Sequence, residues 1–197
     1  MNGIGKNGYW RVIMNEEKPK KKKNLGKIFE QNIKKSVDEN SMYYYRLPDS
    51  PSSFNQDSSA VRFTLNTPYD MYIFFNRYLF TFELKSTKAN SIPFDREKGD
   101  KKSIKYNQIA GLLKVSEYTH TRAGFLLDFR KSGITYYLSI EKFQIFTKNS
   151  DKKSINEKDI INLRPVVVHK KKLQVNYRYD ITKLLNRLIQ KEQNNEQ

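Results

Sequence analysis

Residues 69–85 of the chain read YDMYIFFNRYLFTFELK and decide the fold. Two apolar runs rich in aromatic residues flank the pair Asn76-Arg77, which predicts two antiparallel strands joined by a two-residue hairpin loop. With these two residues in the loop, Phe75 faces Tyr78. Every other facing pair of the hairpin follows from that one.

The same register brings charged side chains together at the open end of the hairpin. Asp70 lies opposite Glu83, and facing residues are about 5 Å apart at Cβ. Side chains alternate between the faces of a strand, so Glu83 and Lys85 share one face. The other face is almost wholly apolar and forms the predicted core: Met71, Ile73, Phe75, Tyr78, Phe80, Phe82 and Leu84.

The flanking sequence predicts helices and further strands. Apolar residues recur at helical spacing after Asn24, an N-cap residue type, which predicts a first helix at about 24–39. A second helix is predicted at about 106–117, with Ile109, Leu112 and Leu113 directed inward. Short strands are predicted in MYYYRLP from Met42, SAVRFTL from Ser59, AGFLLDF from Ala123 and ITYYLSI from Ile134, the last two joined by a hairpin at 131–133.

Two helices are predicted toward the C-terminus. Ser154 and Glu157 have the spacing of a capping box, which predicts a short helix through Ile160 and Ile161. Asp180 caps a last helix, and we expect this helix to pack on the body of the protein or on a partner. Its apolar stripe consists of Ile181, Leu184, Leu185 and Leu188.

These elements predict an α/β fold with a mixed central β-sheet flanked by helices. Residues 1–23 end in a lysine run and are expected to form a basic, flexible N-terminal arm. Residues 24–180 form the predicted single domain, and 181–197 the C-terminal helix and tail.

Composition narrows the partners and the chemistry. Lys and Arg number 37 against 21 Asp and Glu, a net charge of +16, which favours a polyanion as partner or serves solubility alone. The absence of cysteine excludes disulfides, thiolate metal sites and a cysteine nucleophile. No apolar run is long enough to span a membrane, so we expect a soluble, cytoplasmic protein.

Two adjoining carboxylates suit a hard metal ion. They repel each other unless a cation relieves them, and oxygen ligands favour Mg²⁺ or Mn²⁺. In this hypothesis Asp70, Glu83 and the backbone carbonyl of Leu84 hold the metal, while Lys85 positions or deprotonates the attacking water and stabilises charge on a phosphate. The alternative is an ordinary Glu-Lys pair on a solvated sheet face.

The motifs resemble those of RecU-type Holliday junction resolvases, in the PD-(D/E)xK nuclease superfamily. Pro68-Tyr69-Asp70 and Glu83-Leu84-Lys85 are similar to the superfamily motif. The remaining similarities are Gly26 with Phe29-Glu30 and Ile33 in the first helix, Ser59-Ala60-Val61, Ser86-Thr87-Lys88, Ile92-Pro93-Phe94, and Asn107-Gln108-Ile109, where Asn stands in place of the family's His.

The resemblance implies a restriction-endonuclease-like core and a homodimer that resolves four-way DNA junctions by paired symmetric nicks during recombination and repair. It assigns Asp70 and Glu83 to the metal, Lys85 to catalysis, Glu30 as a further acidic residue, and Gln108 to the site. A recombinase is a further candidate partner. Candidate DNA contacts are Arg62, Thr67, Arg77, Ser86, Thr87, Lys88, Lys101, Lys102, Lys105, Lys170, Lys171 and Lys172.

Three alternatives stay open. A related endonuclease would act on duplex DNA without selecting junctions. A DNA-binding recombination protein would need no metal. A basic structural protein would not bring Asp70, Glu83 and Lys85 together.

Overall fold

The computed structural model describes residues 24–48 and 67–193 of the chain. Its elements are α1 (Leu25–Ser36), β1 (Tyr43–Arg46), β2 (Met71–Phe75), β3 (Tyr78–Thr87), β4 (Ser91–Pro93), α2 (Tyr106–Ser116), β5 (Thr121–Phe129), β6 (Ile134–Ser139), α3 (Ile140–Lys148), β7 (Ser154–Asn156), α4 (Glu157–Asn162), β8 (Val166–Val167), β9 (Lys170–Lys172), β10 (Tyr177–Tyr179) and α5 (Ile181–Gln193). The predicted arm at 1–23 and the predicted strand at 59–65 lie outside the described residues.

Six strands form the central sheet in the order β1-β2-β3-β5-β6-β8. β3 and β5 run parallel, and the other neighbouring strands are antiparallel. A parallel pair needs a crossover connection, and α2 lies within it. Two small sheets, β4-β7 and β9-β10, lie beside the central one. The predicted α/β fold with a mixed central sheet flanked by helices is confirmed.

The hairpin that decides the fold has the predicted register. β2 and β3 pair from Phe75 facing Tyr78 to Met71 at the far end. Asn76 and Arg77 form the loop with φ angles of 48° and 68°. A type I′ turn requires positive φ at both loop residues, and its twist matches that of the flanking strands.

Both faces of the sheet are buried at β3, each by its own apolar cluster. The predicted apolar side of the hairpin packs with α1, β10 and α5, and the opposite side of β3, β5 and β6 packs with α2, α3 and α4. We call these the α1 face and the α2 face. Glu83 points to the α2 face and is only 1% exposed, so the alternative of a solvated Glu-Lys pair is wrong for this residue.

The first and last helices begin at the predicted caps. The side chain of Asn24 accepts a hydrogen bond from the backbone of Lys27, and that of Asp180 accepts one from Lys183. The apolar stripe of α5 is buried in the same cluster as α1 and the hairpin, so this helix packs on the body of the protein.

The predicted cap of α4 is wrong. Ser154 belongs to β7, which pairs with β4, and the capping box is formed by Asn156 and Asp159 instead. The Glu157 carboxylate accepts hydrogen bonds from Ser132 and Tyr136 across the fold. Strand pairing at β7 thus moved the helix start two residues beyond the sequence-based prediction.

Within the described residues, none of the helices has both the length and the apolar character needed to cross a bilayer.

Candidate active site

Asp70 lies at the end of β2, where the hairpin ladder stops. Its backbone N–H donates to the Phe82 carbonyl at 3.1 Å, and its own carbonyl accepts from Leu47 at 2.9 Å. Its carboxylate Oδ2 accepts from the backbone N–H of Leu84 at 2.7 Å. The side chain thereby takes the place of the missing strand residue and is held beside Glu83.

Glu83 is the buried centre of the site. Its Oε1 accepts from Lys85 Nζ at 2.7 Å and from Gln108 Nε2 at 2.6 Å. Its Oε2 is buried and has no hydrogen-bond partner among the described residues. Oε1 therefore accepts from two donors, while Oε2 has no donor and is buried from solvent.

The two carboxyl groups affect each other unequally, because Asp70 raises the pKa of Glu83 whereas a side-chain hydrogen bond with Glu83 lowers the pKa of Asp70. Burial, and then the neighbouring Asp70 charge, raises the pKa of Glu83 to about 8, although Lys85 opposes the shift. Burial also raises the pKa of Asp70, against the lowering effects of the Leu84 N–H and of Lys85. Such a pair needs a proton or a further cation to be stable at neutral pH.

Gln108 is oriented by its own helix. Its Oε1 accepts from the N-cap backbone N–H of Lys105 at 2.8 Å, which leaves the amide nitrogen as donor to Glu83. Gln108 therefore acts as a hydrogen-bond donor to Glu83 and supports the ionised form of that carboxylate.

Close packing of α2 on the Asp70 segment sets the position of Gln108. A Cβ atom at Gly111 would overlap the side chain of Pro68, two residues before Asp70. Sequence reasoning missed Gly111, and the available signal was a glycine inside an otherwise regular amphipathic helix.

The Leu84 carbonyl has the orientation that a metal ligand there would need. The Leu79 N–H and the Thr87 carbonyl form hydrogen bonds on the β5 side of β3. The Phe82 carbonyl and the Leu84 N–H form theirs on the β2 side. Because β2 ends at Met71, the Leu84 carbonyl points beyond the ladder to the side occupied by the Asp70 carboxylate.

The donor set fits a hard divalent cation. Carboxylate and carbonyl oxygens are the ligands that Mg²⁺ accepts, usually with one or two carboxylates. The buried Glu83 Oε2 has no hydrogen-bond partner among the described residues, and burial raises the pKa of both acids, so a cation beside them would stabilise their ionised forms. Among the described residues, no three His, Cys, Asp or Glu side chains cluster in a way that could hold a metal ion.

Glu30 on α1 pairs with Arg46 and is not part of the Asp70-Glu83 carboxyl pair. Its Oε2 lies 2.6 Å from the guanidinium of Arg46, at the end of β1. Arg46 in turn lowers the pKa of Asp70 through its charge. Arg46 connects the first helix electrostatically to the site, and sequence reasoning missed it although it is the one charged residue of the strand.

The candidate DNA contacts are dispersed. Lys88 is exposed just beyond β3, at the site end of the sheet, and Lys105 is exposed at the start of α2. Thr67 directly precedes Pro68, and the Thr87 hydroxyl accepts from the Ala89 backbone.

Several others are placed elsewhere. Arg77 occupies the hairpin loop, about 20 Å from Glu83 along β3. The Lys170 ammonium pairs with Asp128 at 2.9 Å, and the Ser86 hydroxyl donates to the same carboxylate. Lys171 is exposed on β9, as is Lys172. Lys101 and Lys102 are exposed ahead of α2, and Arg62 lies outside the described residues.

Comparison with known proteins identifies relatives. No protein-family model matches the chain. Over 186 residues it is 35% identical to the SPbeta prophage-derived uncharacterized protein YotM of Bacillus subtilis (strain 168), with 86% of this chain and 89% of that protein covered. The chain belongs to the same family as YotM.

Among solved structures, the Holliday junction resolvase Hjc of Archaeoglobus fulgidus is similar at a TM-score of 0.41 and 11% identity, over 66% of this chain and 84% of that one. Likeness at these values gives no information about activity.

Proposed function

We propose that this protein is a divalent-metal-dependent endonuclease that hydrolyses phosphodiester bonds in branched DNA. The observation that carries the proposal is the buried Glu83 carboxyl beside the half-buried Asp70 carboxyl, with the Lys85 ammonium at 2.7 Å from Glu83. A buried carboxyl group with a strongly raised pKa beside a cation is typical of functional sites.

Asp70, Glu83 and the Leu84 carbonyl would hold Mg²⁺ or Mn²⁺. When bound, the ion supplies positive charge for the phosphate oxygens and lowers the pKa of a coordinated water. The protein prepares this site with the Leu84 N–H, which fixes Asp70, and with Gln108, which fixes Glu83.

Lys85 contributes a positive charge to the site from the protein, in addition to that of the metal ion. Its side chain is partly exposed, at 19%, and therefore reaches from buried Glu83 toward solvent, where a phosphate would lie. There the ammonium positions the attacking water and stabilises negative charge as it develops on the phosphate. Fixed charge of this kind needs no reorganisation during the reaction.

The proposed substrate is a four-way junction, cut by paired symmetric nicks in a homodimer during recombination and repair. The motif resemblance to RecU-type resolvases supports this choice, as does the net charge of +16, since phosphate contacts dominate DNA affinity. A two-fold symmetric dimer matches the symmetry of a junction. The proposal also includes a cytoplasmic location and a recombinase as partner.

A substrate panel tests the activity and its selectivity. Labelled four-way junction, flap and linear duplex are incubated with the wild type, Asp70→Asn and Glu83→Gln in Mg²⁺, Mn²⁺ or EDTA. The proposal predicts that the junction is cut fastest, that EDTA abolishes cutting, and that both variants are about 100-fold slower or worse. Wild-type rates in both variants would refute the assigned site, and equal cutting of all three DNAs would indicate a nuclease without junction selectivity.

A further inference from the structure

Four aromatic side chains form an uncovered surface on β1 and β2. Register places Tyr43 beside Phe74 and Tyr45 beside Tyr72, all on one face of the sheet. The ring centroids of Tyr45 and Tyr72 are 5.4 Å apart in a stacked arrangement, and those of Tyr43 and Tyr72 are 6.3 Å apart. We call these four residues the aromatic platform.

The aromatic platform lies on the same face as the carboxyl pair. Tyr72 faces Thr81 across the hairpin, two residues before Glu83. Tyr72 is also two residues from Asp70, about 7 Å along the strand. A ligand strand that lies along the platform would therefore continue toward the carboxyl pair, where the phosphate to be cut would lie.

The helices of the α2 face leave the platform open. Those helices pack on β3, β5 and β6. At the β1 and β2 end of the sheet, Tyr43 is 59% exposed, Phe74 50% and Tyr45 44%. Contiguous exposed aromatic surface of this kind marks a binding surface rather than ordinary surface composition.

The net charge of the chain favours a polyanion as occupant of the platform. A groove of about 690 Å³ follows the outer edge of β1 and continues from the platform. Its charged lining residues are Lys34, Glu39 and Arg46, of which Arg46 is paired with Glu30, so the attraction for phosphate comes mainly from the net charge of +16. A site for single-stranded DNA combines two parts: cationic side chains along the phosphates and aromatic rings on which the bases stack.

We propose that the aromatic platform stacks unpaired bases of a DNA strand that runs into the carboxyl site. The inference rests on the proposed function in that it takes branched DNA as the ligand, and it specifies that bases opened at the branch point stack on the platform beside the cut. Bases in a fully paired duplex are already stacked on one another, so the platform gives no advantage to blunt duplex.

The test is DNA binding in EDTA, where cleavage does not occur. The probe is a fluorescein-labelled oligothymidylate of about 12 nucleotides, with a blunt duplex of the same length as comparison. The double variant Tyr43→Leu/Tyr45→Leu is expected to weaken oligothymidylate binding about tenfold or more, because each lost stacked base weakens binding by roughly that factor. Duplex binding should change by less than about twofold, and the salt dependence should be unchanged because no phosphate contact is lost.

Two controls separate stacking from folding. Tyr43→Phe/Tyr45→Phe keeps the rings and should bind like the wild type. Tyr118→Leu removes another exposed tyrosine, 63% exposed beyond α2, and should also have no effect. Photocrosslinking of an oligonucleotide that carries 5-iododeoxyuridine should map to peptides with Tyr43, Tyr45, Tyr72 or Phe74.

Wild-type affinity of the Leu variant for oligothymidylate would overturn the proposal, as would an equal loss of duplex binding. A wild-type dimer that dissociates in the Leu variant by sedimentation velocity would assign the platform to a second copy of the chain and also overturn it. Failure of the proposed nuclease activity is a separate result, since it is absence of cutting by the wild type in metal, whatever the outcome in EDTA.

Discussion

Gln108 on α2 donates to Glu83 on β3 at 2.6 Å, while its other amide atom is held by the first turn of its own helix. The crossover helix therefore orients the central carboxylate of the sheet. We expect Gln108→Leu to reduce metal-dependent cleavage about 10- to 100-fold, the usual effect of losing a group that orients a metal ligand.

Single-turnover rates as a function of Mg²⁺ concentration check this prediction. The Mg²⁺ concentration for half-maximal rate should rise in Gln108→Leu, whereas the exposed neighbour Ala110→Ser should leave it unchanged. An unaltered Mg²⁺ dependence in the Leu variant would show that the hydrogen bond does not affect the metal site.

Ionisation of the Glu83 carboxyl should make the metal-free protein less stable as pH rises. The folded-state pKa is about 8, above an ordinary value of 4.5, so the folded state binds the extra proton between these values. Stability from this group is therefore fully present below about pH 4.5 and is lost as pH rises toward 8. In EDTA, Glu83→Gln should melt at least about 3 °C above the wild type at pH 8, and the difference should shrink at pH 5.

Thermal unfolding at the two pH values measures this difference. The exposed Glu117→Gln variant controls for the loss of one surface carboxylate and should shift the melting temperature equally at both pH values. A difference for Glu83→Gln that grows toward pH 5 would have the opposite sign and contradict the raised pKa.

Gly111→Ala should disturb the site although alanine is the better helix former. The new Cβ would overlap Pro68, so α2 must move away from the segment that carries Asp70. We expect cleavage to fall about tenfold and the melting temperature to drop despite a helix-propensity gain of about 1 kcal/mol. The control Ala110→Gly lowers helix propensity without touching Pro68. It should lower the melting temperature but have little effect on the cleavage rate per folded molecule.

Lys170 is expected to act on stability rather than on DNA affinity. Its ammonium and the Asp128 carboxylate are 12% and 9% exposed, and the Thr135 hydroxyl lies 2.9 Å from the same ammonium. Lys170→Met leaves the buried Asp128 carboxylate without its counter-ion, although Ser86 and Thr135 still donate to it, and should lower the free energy of unfolding by about 3 kcal/mol. The exposed neighbour Lys171→Met should unfold like the wild type, and equal urea midpoints for the two variants would contradict the prediction.

Local sequence signals predicted the parts of the fold that depend on neighbouring residues. The loop at Asn76 and Arg77 specified the hairpin register, and Asn24 and Asp180 specified two helix starts. Each of these features depends on residues within a few positions of one another, where turn and cap chemistry acts directly.

Several features that depend on distant residues were not predicted. The cap of α4 moved because β7 pairs with β4, more than 60 residues earlier in the chain. Lys170 appeared to be a surface cation, yet it is paired with Asp128, 42 residues away. The approach of Gly111 to Pro68 and the link from Arg46 to Glu30 likewise arise only when separate elements pack.

The most direct test of the central claim compares the wild type, Lys85→Ala and the exposed control Lys183→Ala on a labelled mobile four-way junction and a matched duplex. Binding is measured in EDTA and cleavage in Mg²⁺. The account predicts junction binding within about threefold for all three proteins, metal-dependent paired nicks by the wild type and Lys183→Ala, and cleavage by Lys85→Ala about 100-fold slower or worse. Cleavage by Lys85→Ala at the wild-type rate, or tight junction binding by the wild type with no cleavage in Mg²⁺ or Mn²⁺, would contradict it.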